Sequence, residues 1–375
     1  MEIIRLIPNE QGVVDWPTLS DDKRAVVTIG NFDGVHRGHQ AVLEKTLDLA
    51  KKHDVPSVVI TFDPQPGLVH RYASAHEGQE LPDEKALDNP YELMGLNQKL
   101  SIIEKMGFDY AIVVRYTLAF AARTYIFFLG QLVGKLGMRT LVLGSDATMG
   151  KGREGDIKSI TKLSQATGVF ELIVVDDFGP SGIYVPREVT YVVPEISGEP
   201  VNPLKAMTKA ELRAWSKKNR SVPTREYSSS MVRFLLARGC VKDAGEILGR
   251  AHNIEAVIVH GQARGRELGF PTANCGQIQG FAPVDGVYAG HLTVTETGEQ
   301  YSAAISVGTN ETFDGTERTV EAYCIDAPEN LNIYGQKVRI EFTHYLRPMI
   351  KFKSVDELIE QMKKDVDEVQ VTNTR

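Results

Sequence analysis

The stretch Thr28-Ile-Gly-Asn-Phe-Asp-Gly-Val-His-Arg-Gly-His39 decides the fold of the first half of the chain. It follows the apolar run Ala25 to Ile29 and precedes an amphipathic run that starts at Gln40. It therefore reads as strand, glycine-rich turn and helix start. Gly30 and Gly34 permit a tight turn and a close approach of backbone to ligand. The free amides and the dipole at the new helix start favour an anion. His36 and His39 are three apart and share a face of the first helical turn. With Arg37 beside them, these groups suit the phosphates of a nucleotide. A plain βα turn with two surface histidines is the reading that HxGH alone would allow.

Working outward, Gln40 to Lys52 has helical spacing, Ser57 to Phe62 is a buried-type strand, and Asp63-Pro-Gln-Pro-Gly67 is a loop. His70 to Pro90 is polar and reads as a loop. Leu93, Leu96, Leu100 and Ile103 mark a helix, residues 110–114 a strand, 124–136 a helix and 140–143 a strand. Strands alternating with helices predict a Rossmann-like parallel sheet. The segment Gly144 to Asp156 holds four glycines and two basic residues after a strand, which suits either a phosphate or flavin loop or a surface turn. Residues 172–175 close the sheet; beyond them lie a strand-like piece, 188–193, and a helix-like piece, 208–218. After residue 250, short strand-like runs alternate with glycine turns, as in a small β-barrel. A capping box, Ser354 to Glu357, opens a terminal helix with Val355, Leu358, Ile359, Met362 and Val366 on one face. The polar tail from Asp367 is expected to fray. The fold class is thus α/β followed by all-β.

A length of 375 residues fits two or three domains. Hydrophobic content of 42% and charged content of 24% are ordinary for a globular protein. A formal charge of −7 argues against a nucleic-acid surface. Cys240, Cys275 and Cys324 offer neither a disulfide framework nor a CxxC pair, which fits a reducing compartment. The N-terminus is interrupted too soon for a signal peptide, and no apolar run approaches a membrane span. The expectation is a cytoplasmic protein with small-molecule partners, no nucleic acid and no membrane; self-association is left open.

Three further segments carry chemistry. In Tyr227-Ser-Ser-Ser-Met-Val-Arg233, hydroxyls at a helix start either cap free amides or touch phosphate, and Arg233 lies one turn in. In Val259 to Asn274, Gly261, Gly265 and Gly269 let backbone amides face phosphate, Pro271 fixes a bend, and Thr272 and Asn274 are hard oxygen donors suited to Mg²⁺. The GK[ST] of a Walker A loop is absent. In Arg318 to Asp326, alternation places Glu321 with Thr319 and Tyr323, on a face turned either to solvent or to a site.

Gly30 to His39 resembles the nucleotide-binding motif of bacterial bifunctional riboflavin kinase/FAD synthetases. The family's G-x-[DN]-F-x-F-G-x-x-R-x-G pattern is met at Gly144, Asp146, Gly150, Arg153 and Gly155, with Ala147 and Met149 replacing the aromatics. Gln65 stands where the family usually has histidine. Ser229, Ser230 and Arg233 are similar to S-S-T-x-[IV]-R, with Ser230 for Thr. Residues 261–274 keep G-x-x-x-G-[RK]-x-L-G-F-P-T-A-N intact.

The resemblance implies an N-terminal HxGH nucleotidyltransferase domain over 1–227 (FMN adenylyltransferase) with an insertion near 179–227. A connecting helical segment, 228–250, and a riboflavin kinase barrel with a terminal helix, 251–375, would follow. Glu321 would be the kinase's general base. His36, His39 and Arg233 would stabilise charge on ATP phosphates. Gly30, Asn31, Phe32, Asp33, Gly34, Asp146, Arg153, Ser229 and Ser230 would bind ATP or flavin in the first reaction centre. Gly261, Arg264, Gly265, Arg266, Gly269, Phe270, Pro271 and Arg347 would do so in the kinase, with Thr272 and Asn274 on Mg²⁺. ATP would be a substrate, and riboflavin, FMN and FAD substrates and products. A kinase with a degenerate N-terminal domain is the competing expectation, motivated by Gln65, Ala147, Met149 and the insertion.

Overall fold

The computed structural model describes residues 1–375 except 20–21, 23, 87–88, 177–182, 187, 261–271, 313–314, 329–330 and 374–375. The side chains of 309–312 and 315–317 are likewise outside the description. Contacts divide the chain into two units: Met1–Asn89 with Leu96–Phe178, and Pro90–Gly95 with Gly179–Arg375.

The first unit is built on β1 (Glu2–Leu6), β2 (Ala25–Ile29), β3 (Ser57–Phe62), β4 (Tyr110–Val114) and β5 (Met138–Gly144). A small ribbon of β6 (Thr148–Met149) and β7 (Gly155–Asp156) follows, then β8 (Glu171–Val175). The sheet order is β1-β4-β3-β2-β5-β8, and every pair is parallel. Strands β2 to β5 are near-continuous apolar runs because both of their faces are covered. One core lies on the face that carries Val27, Ile60, Ile112 and Leu141; the other sets Val26 and Val142 against Val42 and Ala50 of the helix Arg37–His53. The strand order reverses between β2 and β5, so the loops leaving their carboxyl ends flank a topological switch point, where open α/β sheets bind ligands. Those loops are 30–36 and 144–155. The stretch expected to be a loop over 70–90 is partly helical, at Pro66–Ala75 and Asp83–Ala86. Pro66 starts the first of these helices at the position where a missing N–H costs nothing.

The second unit contains a ribbon of β9 (Ile183–Pro186) and β10 (Ser221–Thr224) and six barrel strands. These are β11 (His252–Val259), β12 (Thr272–Gln279), β13 (Gly286–Val294), β14 (Gln300–Thr312), β15 (Gly315–Cys324) and β16 (Lys337–Arg347). They close in the order β11-β12-β15-β14-β13-β16. Gly290 marks a register shift between β13 and β16, and a Cβ there would sit 1.8 Å from the Glu341 carbonyl oxygen. The segment expected as an insertion on the first domain makes its contacts here. Val185 shares the barrel's apolar core, as do Met231, Val232, Phe234, Leu235 and Leu236 of the following helix.

The terminal helix runs Val355–Asn373, and the expected fraying from Asp367 does not occur. Val369 is fully buried against the outer wall, and Asn373 Nδ2 donates to the Gly290 carbonyl at 2.9 Å. Arg347 fastens the helix: Nε and Nη2 donate to Asp365 at 2.8 and 2.6 Å, both side chains being under a tenth exposed. Asp365→Ala should strand a buried guanidinium and cost about 3–5 kcal/mol. Denaturant unfolding followed by Trp215 fluorescence in a Trp16→Phe background checks this; an unchanged midpoint would contradict it.

Glu199 ties residues before α-helical segment 203–206 to the barrel. Its carboxylate accepts the Lys242 N–H at 2.8 Å and the Tyr345 N–H at 2.6 Å. Burial outweighs these bonds and pushes the carboxyl up to about 7. The folded state therefore binds this proton more tightly than the unfolded chain, whose carboxyl titrates at about 4.3. The resulting stability is full below that pH and is lost as pH rises through about 7. Thermal unfolding of the wild type minus that of Glu199→Gln should fall between pH 5 and pH 7.5; a flat difference would contradict the assignment.

Candidate functional site

The turn after β2 is held by unusual backbone. Phe32 and Val35 have φ of 47° and 39°, and Gly34 has φ of 79°. Phe32 is buried, and its ring closes over Gly30, where a Cβ would lie 3.1 Å from the ring carbon Cζ. A side chain at 30 would therefore press on the buried Phe32 ring, which would have to give by a few tenths of an ångström. The same ring meets His39 edge-on, with centroids 5.3 Å apart. Asp33 and His36 are buried, and Arg37 is exposed.

His36 is the N-cap of the helix Arg37–His53: its Nδ1 accepts the His39 N–H at 3.3 Å. The two imidazoles stack at 3.6 Å with 22° between planes. Desolvation, then the neighbouring His36 and Lys99, hold His39 well below the usual 6.5. With His39 neutral, the stacked pair at a helix start offers hydrogen bonds to phosphate without the repulsion that two imidazolium ions would feel. His39 Nδ1, Asn31 Oδ1 and Thr28 Oγ1 are buried without a hydrogen-bond partner among the described residues. Native proteins seldom leave such groups unmet unless a ligand or water serves them.

The loop after β5 packs on the start of the helix Tyr125–Gln131. A Cβ at Gly150 (φ 78°) would lie 2.4 Å from the Tyr125 nitrogen, and one at Gly155 would lie 2.5 Å from its Cβ. Two motif glycines are therefore explained by packing. Arg153 Nε donates to Thr148 Oγ1 at 2.8 Å across the ribbon. Asp146 is exposed, whereas Ala147 and Met149 pack on the sheet's core. A cavity of about 860 Å³ lies at the opposite end, lined by Lys51, Asp54, Ser57 and Asp109, and none of the expected site residues reaches it.

Sequence reasoning missed Lys99. It lies on the helix Leu96–Met106, is fully buried, and its Nζ has no hydrogen-bond partner among the described residues. The signal was present: Leu96, Lys99, Leu100 and Ile103 are spaced i, i+3, i+4 and i+7, which puts a lysine in the apolar stripe.

In the second unit Ser228, one residue before the expected pair, caps the helix Ser229–Leu236 by accepting the Met231 N–H at 3.2 Å. Ser229 and Ser230 are its first two residues. Arg233 is half-buried, and its Nε donates to the Tyr91 carbonyl at 2.5 Å.

The barrel brings three expected residues together. In the β12–β15 ladder Thr272 faces Tyr323 and Asn274 faces Glu321. Directly opposed residues of an antiparallel pair share a face, so all four side chains lie on the same side. Val320 and Ala322 alternate into the buried core, which leaves Glu321 half-buried on the outer face. Thr272 Oγ1 donates to Glu321 Oε2 at 3.3 Å. A carboxylate beside two hard oxygen side chains suits both proton abstraction and Mg²⁺. Arg347 spends its guanidinium on Asp365 and, through Nη1, on the Pro348 carbonyl at 3.1 Å. Gly261, Arg264, Gly265, Arg266, Gly269, Phe270 and Pro271 lie outside the described residues.

A parallel sheet with paired histidines at its switch point, in one chain with a closed barrel bearing a carboxylate among hydroxyl and amide oxygens, suits a two-centred transferase working on phosphate groups. Comparison with known proteins specifies it. A family model described as FAD synthetase matches residues 18–188, and one described as riboflavin kinase matches 248–372. A bifunctional riboflavin kinase/FMN adenylyltransferase of Escherichia coli is 30% identical over 342 residues, covering 91% of this chain and 90% of its own. The Haemophilus influenzae enzyme of that name is 29% identical over 370 residues, covering 98% and 97%. A crystal structure from Streptococcus pneumoniae, described as a macrolide-efflux protein, matches with a TM-score of 0.70 and 25% identity over 98% of this chain and 99% of its own. No helix among the described residues is long and apolar enough to cross a membrane. The chain belongs to the bifunctional riboflavin kinase/FMN adenylyltransferase family.

In the free protein the His39 ring should titrate with a midpoint well below 6.5. NMR of the imidazole C–H signals, assigned with a His39→Gln variant, checks this; a midpoint at or above 6.5 would contradict the desolvated, stacked arrangement.

Proposed function

We propose a division of labour between two stretches of the chain: FMN adenylyltransferase over 1–227 and riboflavin kinase over 251–375, with 228–250 connecting them. The chain phosphorylates riboflavin to FMN and adenylylates FMN to FAD. The observation that carries the kinase assignment is the β12–β15 register, which sets Glu321 opposite Asn274 and beside Thr272. Glu321 takes the proton of the ribityl 5′-hydroxyl as that oxygen attacks the γ-phosphorus of ATP; the bond to the bridging oxygen breaks and ADP leaves. Thr272 and Asn274 would hold Mg²⁺, an ion that neutralises charge on transferring phosphates. The glycine- and arginine-rich run 261–271 would cradle the nucleotide.

In the second reaction an FMN phosphate oxygen attacks the α-phosphorus of ATP and pyrophosphate leaves, so no protein nucleophile is needed. Catalysis is by position and charge stabilisation. His36 and His39 donate to the phosphates from the start of the helix Arg37–His53, Gly30 to Gly34 shape the turn beneath them, and Asp146 lies on the neighbouring loop for base or flavin. Gln65, Ala147 and Met149 leave the histidine pair intact, and both family models match on one chain, which supports two activities over a kinase alone. Three free cysteines support a reducing, cytoplasmic setting.

Separation of the activities by substitution tests the assignment. Glu321→Gln should slow FMN formation from riboflavin by about 10²–10⁴-fold and leave FAD formation from supplied FMN unchanged. His39→Ala should do the reverse. Chromatography of the flavins measures both; a Glu321→Gln variant with full kinase rate would contradict the general-base role.

A further inference from the structure

Lys99 is a buried cation whose ammonium no described residue hydrogen-bonds. The helix Leu96–Met106 turns it inward, its residue exposure is 0%, and its ammonium has no hydrogen-bond partner among the described residues. An ammonium taken from water without compensation costs several kcal/mol, and burying an unpaired charge is among the most destabilising single features a protein can carry. A methionine would fill the same volume without that cost. The position is also specific. Lys99 is close enough to His39 to depress that ring's basicity, and its helix packs on the turn Asp33–Val35. Three other buried polar atoms without partners, His39 Nδ1, Asn31 Oδ1 and Thr28 Oγ1, belong to the same motif. Four of the unmet groups among the described residues, these three and the Lys99 ammonium, thus lie on the motif after β2 or on the helix that packs on it, beside the switch point of the sheet. His39 is a poor source of positive charge there, since it is desolvated and stacked on His36. Lys99 adds a buried positive charge there that can meet an anion.

We propose that Lys99 is a phosphate-binding residue of the adenylyl-transfer centre: its ammonium meets the triphosphate of ATP at the start of the helix Arg37–His53, while His36 and His39 serve as hydrogen-bond donors. This rests on the adenylyltransferase reading of the first unit. Binding neutralises the buried charge, and the same contact stabilises charge that grows on the departing pyrophosphate. In the free protein the lysine costs stability, and this cost is offset when the nucleotide arrives.

The test uses the full-length chain with Lys99→Met and Lys99→Gln. FAD formation is measured from FMN and ATP, FMN formation from riboflavin and ATP serves as the internal control, and thermal unfolding is followed without ligand. The proposal expects both variants to lose about 10²-fold or more of FAD formation. It expects the riboflavin kinase rate to stay unchanged, and Lys99→Met to unfold at a temperature no lower than the wild type. FAD formation within twofold of wild type in both variants would overturn the proposal. So would a loss of FAD formation that accompanies a lowered unfolding temperature, because the lysine would then serve the fold. A wild-type chain that makes FMN but no FAD would sink the adenylyltransferase reading itself, an outcome distinct from retained FAD formation in the variants. A KM for FMN that rises while that for ATP is unchanged would place the ammonium on the flavin phosphate and overturn the triphosphate assignment.

Discussion

The register between β12 and β15 is the constraint on which the kinase half depends. With Asn274 opposite Glu321, the carboxylate, the Thr272 hydroxyl and the Asn274 amide share one face of the wall. A slip of one residue would send Glu321 into the apolar core and bring Val320 or Ala322 outward. Closure of the barrel guards against this, since every strand is paired on both sides. The bidentate Arg347–Asp365 pair adds a second anchor by fixing the terminal helix on the outer wall. The surroundings of Glu321 are thereby a consequence of ladder geometry set by residues far from it in sequence.

The first unit solves a different problem, that of holding polar groups in readiness without water. Its turn is forced by left-handed backbone at Phe32 and Gly34, and the Phe32 ring seals it from beneath. This stacks His36 on His39 and keeps the latter neutral. A fully buried lysine, Lys99, lies on the helix that packs against this turn, and its Nζ, like His39 Nδ1, Asn31 Oδ1 and Thr28 Oγ1, has no hydrogen-bond partner among the described residues. The two units thus gather their candidate site residues by unrelated means: a switch point in a parallel sheet, and the face of a closed antiparallel wall.

Much of this was legible in the sequence because the signals are local. The strand–turn–helix at 28–39 has its histidines three apart, and β2, β3 and β4 coincide with apolar runs read directly. Glu321, Thr272 and Asn274 were identifiable, but their adjacency was not, since 47 residues separate Asn274 from Glu321 and only pairing joins them. The segment 179–227 was read as an insertion on the first domain and 228–250 as a connection; apolar residues state that they are buried, not against which core, and those of both segments share the barrel's. The tail from Asp367 was read as frayed because its polar residues outnumber the apolar ones, yet Val369 and Asn373 suffice to hold it. Ser228 rather than Ser229 caps its helix, a one-residue ambiguity inherent in a run of three serines. Lys99 went unread because a lysine is expected at the surface, though its spacing with Leu96, Leu100 and Ile103 placed it inside.

The central claim is that one chain carries out two successive phosphate transfers. Its most direct measurement is a time course of flavins with the purified wild-type chain, riboflavin, ATP and Mg²⁺, separated by chromatography with pyrophosphate followed in parallel. The account predicts that FMN rises first and then declines as FAD and pyrophosphate appear in equal amounts. FMN that accumulates to completion without FAD or pyrophosphate, even with fresh ATP, would contradict it.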